Sequence, residues 1–476
     1  MLGIFMFAAA VVLLLIGYPV AFSLGGTAFI FTLLGSDLLH NLIGLDFPWE
    51  PAFRLARLNI LPQRIFGNIM DPATAYTLVA VPFFVFMGVM LEKSGLAEEL
   101  LETMGVLFGR LRGGLAISVV AVGALLAAST GVVGASVVTM AVLALPVMLK
   151  YKYDKGIATG TIAASGTLGQ IIPPSIVLVI LGDQIGVSVG SLFLGSFIPG
   201  FMLATLFIVW IIIVAIFWPD RVPALPEEAR NYSASTLAVK IFKSLVPPLF
   251  LIFVVLGTIF FGIASPTEAG AMGAIGASLL AIINRKLNLK NLTDVMEQTV
   301  KLTSMVFIIL IGATTFSMVF TALHGDRVVK DFLLNLPPIP GIDVPYASFL
   351  LFSMLVIFIL GFFIDFIEIT FIVVPLIAPI AEHLLPEFRG SAELTKTWFG
   401  VLIAMNLQCS FLTPPFGFAL FYLKGVAPPE IRTSDIYRGI IPFIIIQLIA
   451  LALIIFFPEI VLILPEIANN LSKGGS

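Results

Sequence analysis

Oxygen-bearing side chains gather in four short segments of an otherwise apolar chain, at residues 129–136, 166–175, 361–368 and 409–417. The hydroxyl, amide and carboxyl side chains in or beside these segments are Ser129, Thr130, Ser136, Ser165, Thr167, Gln170, Ser175, Asp365, Thr370, Asn406, Ser410 and Thr413. Small alkali cations favour hard oxygen ligands, as calcium and magnesium do. No Lys or Arg falls in the four segments. The pattern therefore predicts cation binding, with any anionic substrate balanced by bound cations and helix ends.

Two of these segments interrupt apolar helices with a proline pair. Pro173 and Pro174 lie inside the run 166–182, and Pro414 and Pro415 lie inside the run 409–425. A helix cannot pass unbroken through two prolines, because each removes a backbone donor and clashes with the preceding turn. Unwound carbonyls then supply oxygen ligands, and half-helix N-termini supply positive dipole ends.

Composition places these segments in a membrane. The 476-residue chain is 59% hydrophobic and 11% charged, whereas soluble domains are about a quarter charged. Apolar runs near 20 residues recur throughout and predict a polytopic helical protein, with the first run a retained span rather than a signal peptide. The predicted single spans are 3–16, 19–35, 74–91, 155–182, 190–218, 245–262, 268–283, 302–323, 398–423 and 439–457.

Several other classes of protein are disfavoured. The single Cys409 and three dispersed His residues argue against a disulfide or a transition-metal cluster. Basic residues are scattered among loops, so no nucleic-acid surface is expected. No phosphate-binding loop occurs. We expect no catalytic activity and no cofactor.

Charge bias gives the topology. The cytoplasmic side carries the basic excess, and one orientation places 17 of the 25 Lys and Arg residues there. The stretches 114–149 and 346–385 are each about twice the length of one span, and each has both ends on one face. We interpret them as re-entrant hairpins, the first opening inward and the second outward, with both chain termini on the periplasmic side. The segment 92–111 is predicted to be an amphipathic helix along the inner interface.

The same order of elements occurs twice, in opposite orientation. Residues 1–218 form the first predicted repeat, with hairpin 114–149 and broken helix 155–182. A cytoplasmic linker spans 219–244. The second repeat, 245–476, has hairpin 346–385 and broken helix 398–423. An all-α inverted-topology repeat with matched broken helices predicts a transporter site at the bilayer midplane.

Two acids lie deep in the second hairpin. Asp365 is at its tip, and acids inside a membrane are candidates for function by default. Glu368 is either a second functional acid or a cap of the returning helix.

Three motifs in order resemble one family: "LRGGLA", "GTLGQIIPPS" and "NLQCSFLTPPFG". Over nearly its whole length the chain resembles the large membrane subunit of tripartite ATP-independent periplasmic (TRAP) transporters, in the ion transporter superfamily. The resemblance implies an elevator-type carrier in the bacterial inner membrane that imports organic acids with Na⁺. It also implies a small four-span membrane subunit and a periplasmic substrate-binding protein as partners.

The resemblance further implies site residues, by position in the motifs. The first sodium site would use Ser129, Thr130, Ser136, Gly166, Thr167, Gly169 and Pro173. The second would use Gly361, Asp365, Thr370, Cys409, Thr413 and Pro414. Substrate would contact Ser129, Thr130, Thr167, Gln170, Pro173, Thr413 and Pro414. Relatives commonly place an acid where this chain has Ser136.

Other functions remain open at this point. A stand-alone ion-coupled carboxylate carrier of the same superfamily has the same pattern. Hairpins of opposite orientation also occur in aquaporin-like pores, although those chains are shorter. An intramembrane aspartyl hydrolase would need a second membrane aspartate facing Asp365, and the sequence offers none.

Overall fold

A computed structural model describes the chain in residues 2–35, 63, 67, 72–130, 133–230, 234–341, 344, 346–415 and 417–474. Within these ranges the chain is helical, and the only β-type pairing is an isolated bridge between Phe388 and Ser391. Segment 36–71, which joins the predicted spans 19–35 and 74–91 on the face that the charge bias makes periplasmic, lies almost entirely outside the described residues.

Nine α-helices have both ends within the described residues of the first half. They are α1 (Leu2–Ile16), α2 (Val20–Leu34), α3 (Pro72–Lys93), α4 (Leu96–Phe108), α5 (Gly114–Thr130), α6 (Val133–Lys150), α7 (Lys155–Thr167), α8 (Ile176–Ile185) and α9 (Val189–Phe217). Short 3₁₀ turns at Leu168–Gln170, Pro219–Arg221 and Glu227–Arg230 follow α7 and α9.

The second half contains eleven α-helices. They are α10 (Ala234–Phe260), α11 (Pro266–Ile283), α12 (Leu289–Ala322), α13 (Gly325–Leu334), α14 (Ala347–Leu360), α15 (Phe366–Ile372), α16 (Val374–Leu384), α17 (Ala392–Leu412), α18 (Phe418–Val426), α19 (Thr433–Phe456) and α20 (Glu459–Gly474). Because α10 begins at Ala234, the predicted linker 219–244 is helical from Ala234 to its end.

Length and apolar composition qualify six described helices as membrane spans, or eight if two bent pairs each count as one span. In the first bent pair, α4 leaves α3 at 57°. Its apolar positions Leu96, Leu100 and Leu101 are buried, and Glu98 and Glu99 are exposed. This is the amphipathic helix expected over 92–111. In the second pair, α15 and α16 meet at 58° and form the returning arm of the second hairpin.

Both proline pairs break their helices as the sequence predicts. The first broken helix consists of α7, the 3₁₀ turn and α8, and it is interrupted before Ile176. The second consists of α17 and α18, interrupted at 413–417. The Pro173–Pro174 and Pro414–Pro415 peptide bonds are both cis. The two repeats are therefore interrupted in the same way, by a proline pair joined by a cis peptide bond.

The helices pack in two groups. In the scaffold group, α3 packs against α11 and α12, and α2 packs against α12 and α1. In the hairpin group, the hairpin α5–α6 packs on α7, α14 packs on α17, and α19 packs on both α7 and α17. The groups meet where α3 contacts α5 and α8, and where α12 contacts α15. Each hairpin thus lies against its own broken helix.

Small residues allow the closest helix crossing in the hairpin group. Gly160 on α7 faces Gly439 on α19, and a Cβ atom at Gly160 would collide with the carbonyl of Gly439. Gly156, one turn earlier, faces the same glycine. Close backbone approach through small residues spaced four apart is how helices associate in lipid, where no hydrophobic force draws them together.

Candidate functional site

The first hairpin turns between α5 and α6, at the predicted tip. Residues 131–132 and the side chains of Ser129 and Thr130 lie outside what the structure describes. Ser136 lies in the first turn of α6 and is buried. The end of α5 and the start of α6 therefore flank the predicted tip, and the predicted role of its first two hydroxyls stays a prediction.

Every predicted residue of the first break is buried. Gly166, Thr167, Gly169, Gln170 and Pro173 have essentially no solvent exposure. The Thr167 hydroxyl donates to the Ala164 carbonyl at 2.9 Å, within its own helix. Both polar atoms of the Gln170 amide lack a hydrogen-bond partner among the described residues. An unpaired buried amide is costly, so Gln170 is the least satisfied polar group of this break.

In the second hairpin, the two acids build one helix cap. The Asp365 carboxylate accepts from the Phe366 amide at 2.7 Å. The Glu368 carboxylate accepts from the Asp365 amide at 3.1 Å. Together they form a capping box at the start of α15, which satisfies backbone donors that a helix start leaves open. Glu368 was expected to be either a second functional acid or a helix cap, and this geometry supports the helix cap.

The remaining predicted ligands of the second site surround this tip. Gly361 closes tightly on α17, because a Cβ atom there would collide with the Ser410 side chain. The Thr370 hydroxyl donates to the Phe366 carbonyl at 2.7 Å, and the Thr413 hydroxyl donates to the Cys409 carbonyl at 2.8 Å. Both hydroxyl oxygens keep lone pairs that accept, so each of them can still coordinate a cation.

The two broken helices touch at matching positions. The Gln408 amide nitrogen lies 3.4 Å from the Thr167 hydroxyl oxygen. Each residue stands six positions before the first proline of its own pair. A contact between matching positions of two inverted repeats lies where the repeats meet. Gln408 is fully buried, and its amide oxygen has no hydrogen-bond partner in the described part of the chain.

Sequence reasoning missed Gln408. The available signal was the register of the two proline pairs, which aligns Gln408 with Thr167. A second missed contact joins the Asn406 amide nitrogen to the Met354 carbonyl at 2.7 Å, tying the broken helix to its hairpin.

A cavity of about 110 Å³ opens where the four segments converge. Its walls are Val81, Val85, Val133, Gly134, Ile176, Leu302, Met305, Val306, Asp365, Phe366, Ile367, Phe411, Phe418 and Tyr422. Gly134 follows the first hairpin tip and Ile176 follows the first break. Asp365 is the second tip, and Phe418 follows the second break. The helices α6, α8, α15 and α18 all begin at this cavity, so their positive dipole ends lie beside it.

The predicted site residues divide into two sets at this cavity. Asp365 lines it, whereas the described groups Thr167, Gln170, Cys409 and Thr413 are absent from its described lining. These amide and hydroxyl groups of the breaks therefore lie outside the described cavity wall, which is formed by Asp365, Tyr422 and apolar residues.

An all-helical inverted repeat, with two hairpins and two broken helices around a shared cavity, defines a membrane transporter fold. The family of the DctM component of the tripartite ATP-independent periplasmic transporter matches residues 7–460. The chain belongs to this family and is a TRAP large permease subunit.

Curated relatives agree along nearly the full length. The chain is 29% identical over 458 residues to the sialic acid TRAP transporter large permease protein SiaM of Vibrio cholerae, covering 96% of each chain. It is 29% identical to the C4-dicarboxylate large permease DctM of Pseudomonas aeruginosa, covering 84% of this chain and 88% of that one. It is also 29% identical to the 2,3-diketo-L-gulonate large permease YiaN of Escherichia coli, covering 90% and 97%.

A solved structure shares the fold. The Alcanivorax borkumensis YdaH transporter, described as having an unusual topology, aligns with a TM-score of 0.62. The alignment covers 91% of this chain and 98% of that one at 15% identity.

Proposed function

We propose that this subunit carries an organic acid across the bacterial inner membrane together with Na⁺. The observation that carries the proposal is the cavity on which both hairpins and both broken helices converge. Four helix N-termini lie beside it, and one carboxylate, Asp365, lines it. An anionic substrate is attracted by the helix ends, and a cation held near Asp365 offsets the negative charge of the acid.

Sodium is the coupling ion we expect. The unwound backbone between Leu168 and Ser175, and again at 413–417, presents carbonyl oxygens beside hydroxyl groups. Such groups suit a hard alkali cation. The first sodium site is proposed at the first hairpin tip and break, and the second at the second hairpin tip and break.

We propose an elevator movement for translocation. Scaffold and hairpin groups each pack within themselves, and the cavity lies between them, with α3 and α12 forming the scaffold wall. Sliding of the hairpin group along α3 and α12 would carry the site across the membrane without opening a pore. Alternating access by movement of one bundle against another suits a site fixed at the midplane.

The transporter is proposed to work with two partners: a small four-span membrane subunit and a periplasmic protein that delivers the acid. Both termini of the large subunit would face the periplasm. Membership of the TRAP family supports this assembly. A stand-alone carrier of the same superfamily remains the alternative, and a channel is disfavoured by the paired broken helices.

Uptake by the reconstituted complex tests the proposal. Proteoliposomes holding the large and small subunits, with binding protein outside, should accumulate labelled acid when a sodium gradient points inward, without ATP. Replacing sodium by potassium on both sides should abolish accumulation. Undiminished uptake in potassium would refute sodium coupling.

A further inference from the structure

Three loops at the base of the first hairpin are joined to one another by backbone hydrogen bonds. Residues 109–113 precede α5, residues 150–154 follow α6, and residues 219–225 follow α9. The amide-to-carbonyl bonds between these loops run from Gly113 to Val222 at 2.8 Å, from Asp154 to Arg221 at 2.8 Å, and from Leu225 to Gly109 at 2.9 Å. The segment after α9 is therefore fixed against both ends of the hairpin.

Basic side chains from all three loops are brought to one surface by these bonds. The loops contain five basic residues, all of them exposed: Arg110, Arg112, Lys150, Lys152 and Arg221. They contain two acids. The carboxylate of Asp154 is engaged in capping α7, where it accepts from the Ile157 amide at 3.1 Å, and Asp220 is exposed. The five basic residues therefore form a positively charged surface, which we call the basic patch.

An exposed apolar surface adjoins the basic patch at the end of α9. Ile216 and Phe217, in the last turn of this membrane-spanning helix, are 67% and 70% exposed. Trp218 follows directly and is 47% exposed. The Arg221 guanidinium lies 5.9 Å from the centroid of the Trp218 ring, a cation–π contact. The apolar end of α9 thus passes through Trp218 directly into the basic patch.

This sequence of surfaces has the polarity of a phospholipid. Tryptophan is enriched at the membrane–water interface, where its ring lies at the level of the lipid headgroups. Arg221 is then at the depth of the lipid phosphates, and Ile216 and Phe217 are on the side of the acyl chains. Guanidinium groups bind phosphate through paired N–H donors. A free phosphate ion would use the basic residues and leave the apolar surface without a partner.

We propose that the basic patch and the end of α9 bind one anionic phospholipid, such as phosphatidylglycerol, in the leaflet that the charge bias makes cytoplasmic. Arg112 and Arg221 hold the phosphate, because the bond from Gly113 to Val222 brings their two loops together. An acyl chain lies along Ile216 and Phe217. The lipid joins the base of the first hairpin to α9, and this role does not depend on the coupling ion or on the transported acid.

Native mass spectrometry of the purified full-length chain in neutral detergent tests the proposal. Phosphatidylglycerol and phosphatidylcholine with identical acyl chains are offered at equal concentration, so that only the headgroup differs. Each basic residue near an anionic lipid surface favours binding by roughly fivefold. We therefore expect phosphatidylglycerol to be bound at least about fivefold more than phosphatidylcholine, with the preference decreasing as salt is added.

Two double variants with the same change in charge locate the lipid. Arg112→Gln with Arg221→Gln alters the basic patch, and the bonds that close the patch remain because they join backbone atoms. Arg285→Gln with Lys290→Gln removes two exposed basic residues elsewhere on the predicted cytoplasmic face. A basic excess is general on that face, so this second pair is the control. We expect the first pair to reduce the phosphatidylglycerol preference by about fivefold or more and the second pair to preserve it.

Inorganic phosphate added in excess distinguishes a lipid site from a phosphate site and should leave the bound phosphatidylglycerol in place. Three results would overturn the proposal: equal binding of the two lipids, equal losses in the two double variants, or displacement of the lipid by inorganic phosphate. Sodium-coupled uptake is measured separately, so the failure of either proposal leaves the other standing.

Discussion

Asp365 combines two roles that a single substitution can separate. Its side chain caps α15 and lines the cavity. Asparagine caps helices as well as aspartate does, so Asp365→Asn keeps the cap and removes the charge. We expect transport to slow by about tenfold or more and the sodium requirement to rise, because an ion-dipole contact is weaker than an ion pair.

The control for Asp365→Asn is Glu368→Gln, which keeps an acceptor for the Asp365 amide. Initial uptake rates across a sodium series, with membrane protein levels measured in parallel, provide the comparison. Normal transport by Asp365→Asn at low sodium would show that this carboxylate does not serve cation coupling.

The contact between Thr167 and Gln408 is expected to stabilise the junction of the two repeats. Thr167→Val removes the acceptor and leaves the Gln408 amide nitrogen buried without it. Buried hydrogen bonds in membrane proteins contribute about 0.5–2 kcal/mol. A double-mutant cycle with Gln408→Leu, measured by unfolding in detergent, should therefore show coupling. Strictly additive effects would mean that the two groups do not interact.

At the residue scale, the sequence predicted where site residues lie along the chain better than which side chains they contact. Asp365 was expected at the hairpin tip and lines the cavity there. Gln408 was not expected, because an amide inside an apolar helix gives no signal until the register of the two repeats is known. The apolar character of the cavity wall was also not predictable, since Val81, Leu302 and Met305 come from spans distant in sequence.

At the scale of elements, the crossing of α7 and α19 depends on glycine. Gly160→Val would drive a branched side chain into the backbone of Gly439, and overpacking of this kind costs about 1–3 kcal/mol. We expect a lower unfolding temperature and less folded protein in thermal size-exclusion measurements.

Gly257→Val is the matched control for this prediction. Gly257 lies inside α10, and nothing approaches the position of its Cβ within 4 Å. The same substitution there should have little effect. Equal destabilisation by both variants would assign the loss to helix propensity rather than to the crossing.

Hairpins and broken helices were predictable from the sequence because charge bias and prolines mark them. The ends of the spans were less predictable. The predicted span 302–323 begins well inside α12, whose first residue is Leu289, and the predicted span 245–262 begins well inside α10, whose first residue is Ala234. Both helices start before the apolar run, because polar residues such as Lys290 and Lys240 maintain helical structure outside the hydrocarbon core.

At the scale of the whole molecule, the outer face is where a binding protein would dock. Arg389, on the predicted outer face, already pairs within the chain, donating to Glu459 at 2.7 Å and contacting Glu466. These contacts hold α20 against the loop before α17. Arg389 therefore has a structural role within the chain. Arg54, Arg57 and Arg64, the basic residues of segment 36–71, lie outside the described residues.

Reversal of Arg54, Arg57 and Arg64 to Glu tests docking at segment 36–71. Charges at the rim of an interface affect encounter rate more than affinity. The triple variant should slow binding-protein-dependent uptake and change its salt dependence, with protein level and sodium dependence unaltered. Full uptake at limiting binding protein and low salt would exclude this segment from the docking face.

We propose that the cavity belongs to a sodium-coupled carrier and not to a pore. Counterflow distinguishes the carrier from the pore. Proteoliposomes with equal sodium on both sides and binding protein on both sides are loaded with unlabelled acid, and a trace of labelled acid is added outside. For a sodium-coupled carrier we expect a transient accumulation of label above equilibrium in sodium and none in potassium. Simple equilibration of label without overshoot, or an overshoot unchanged in potassium, would contradict it.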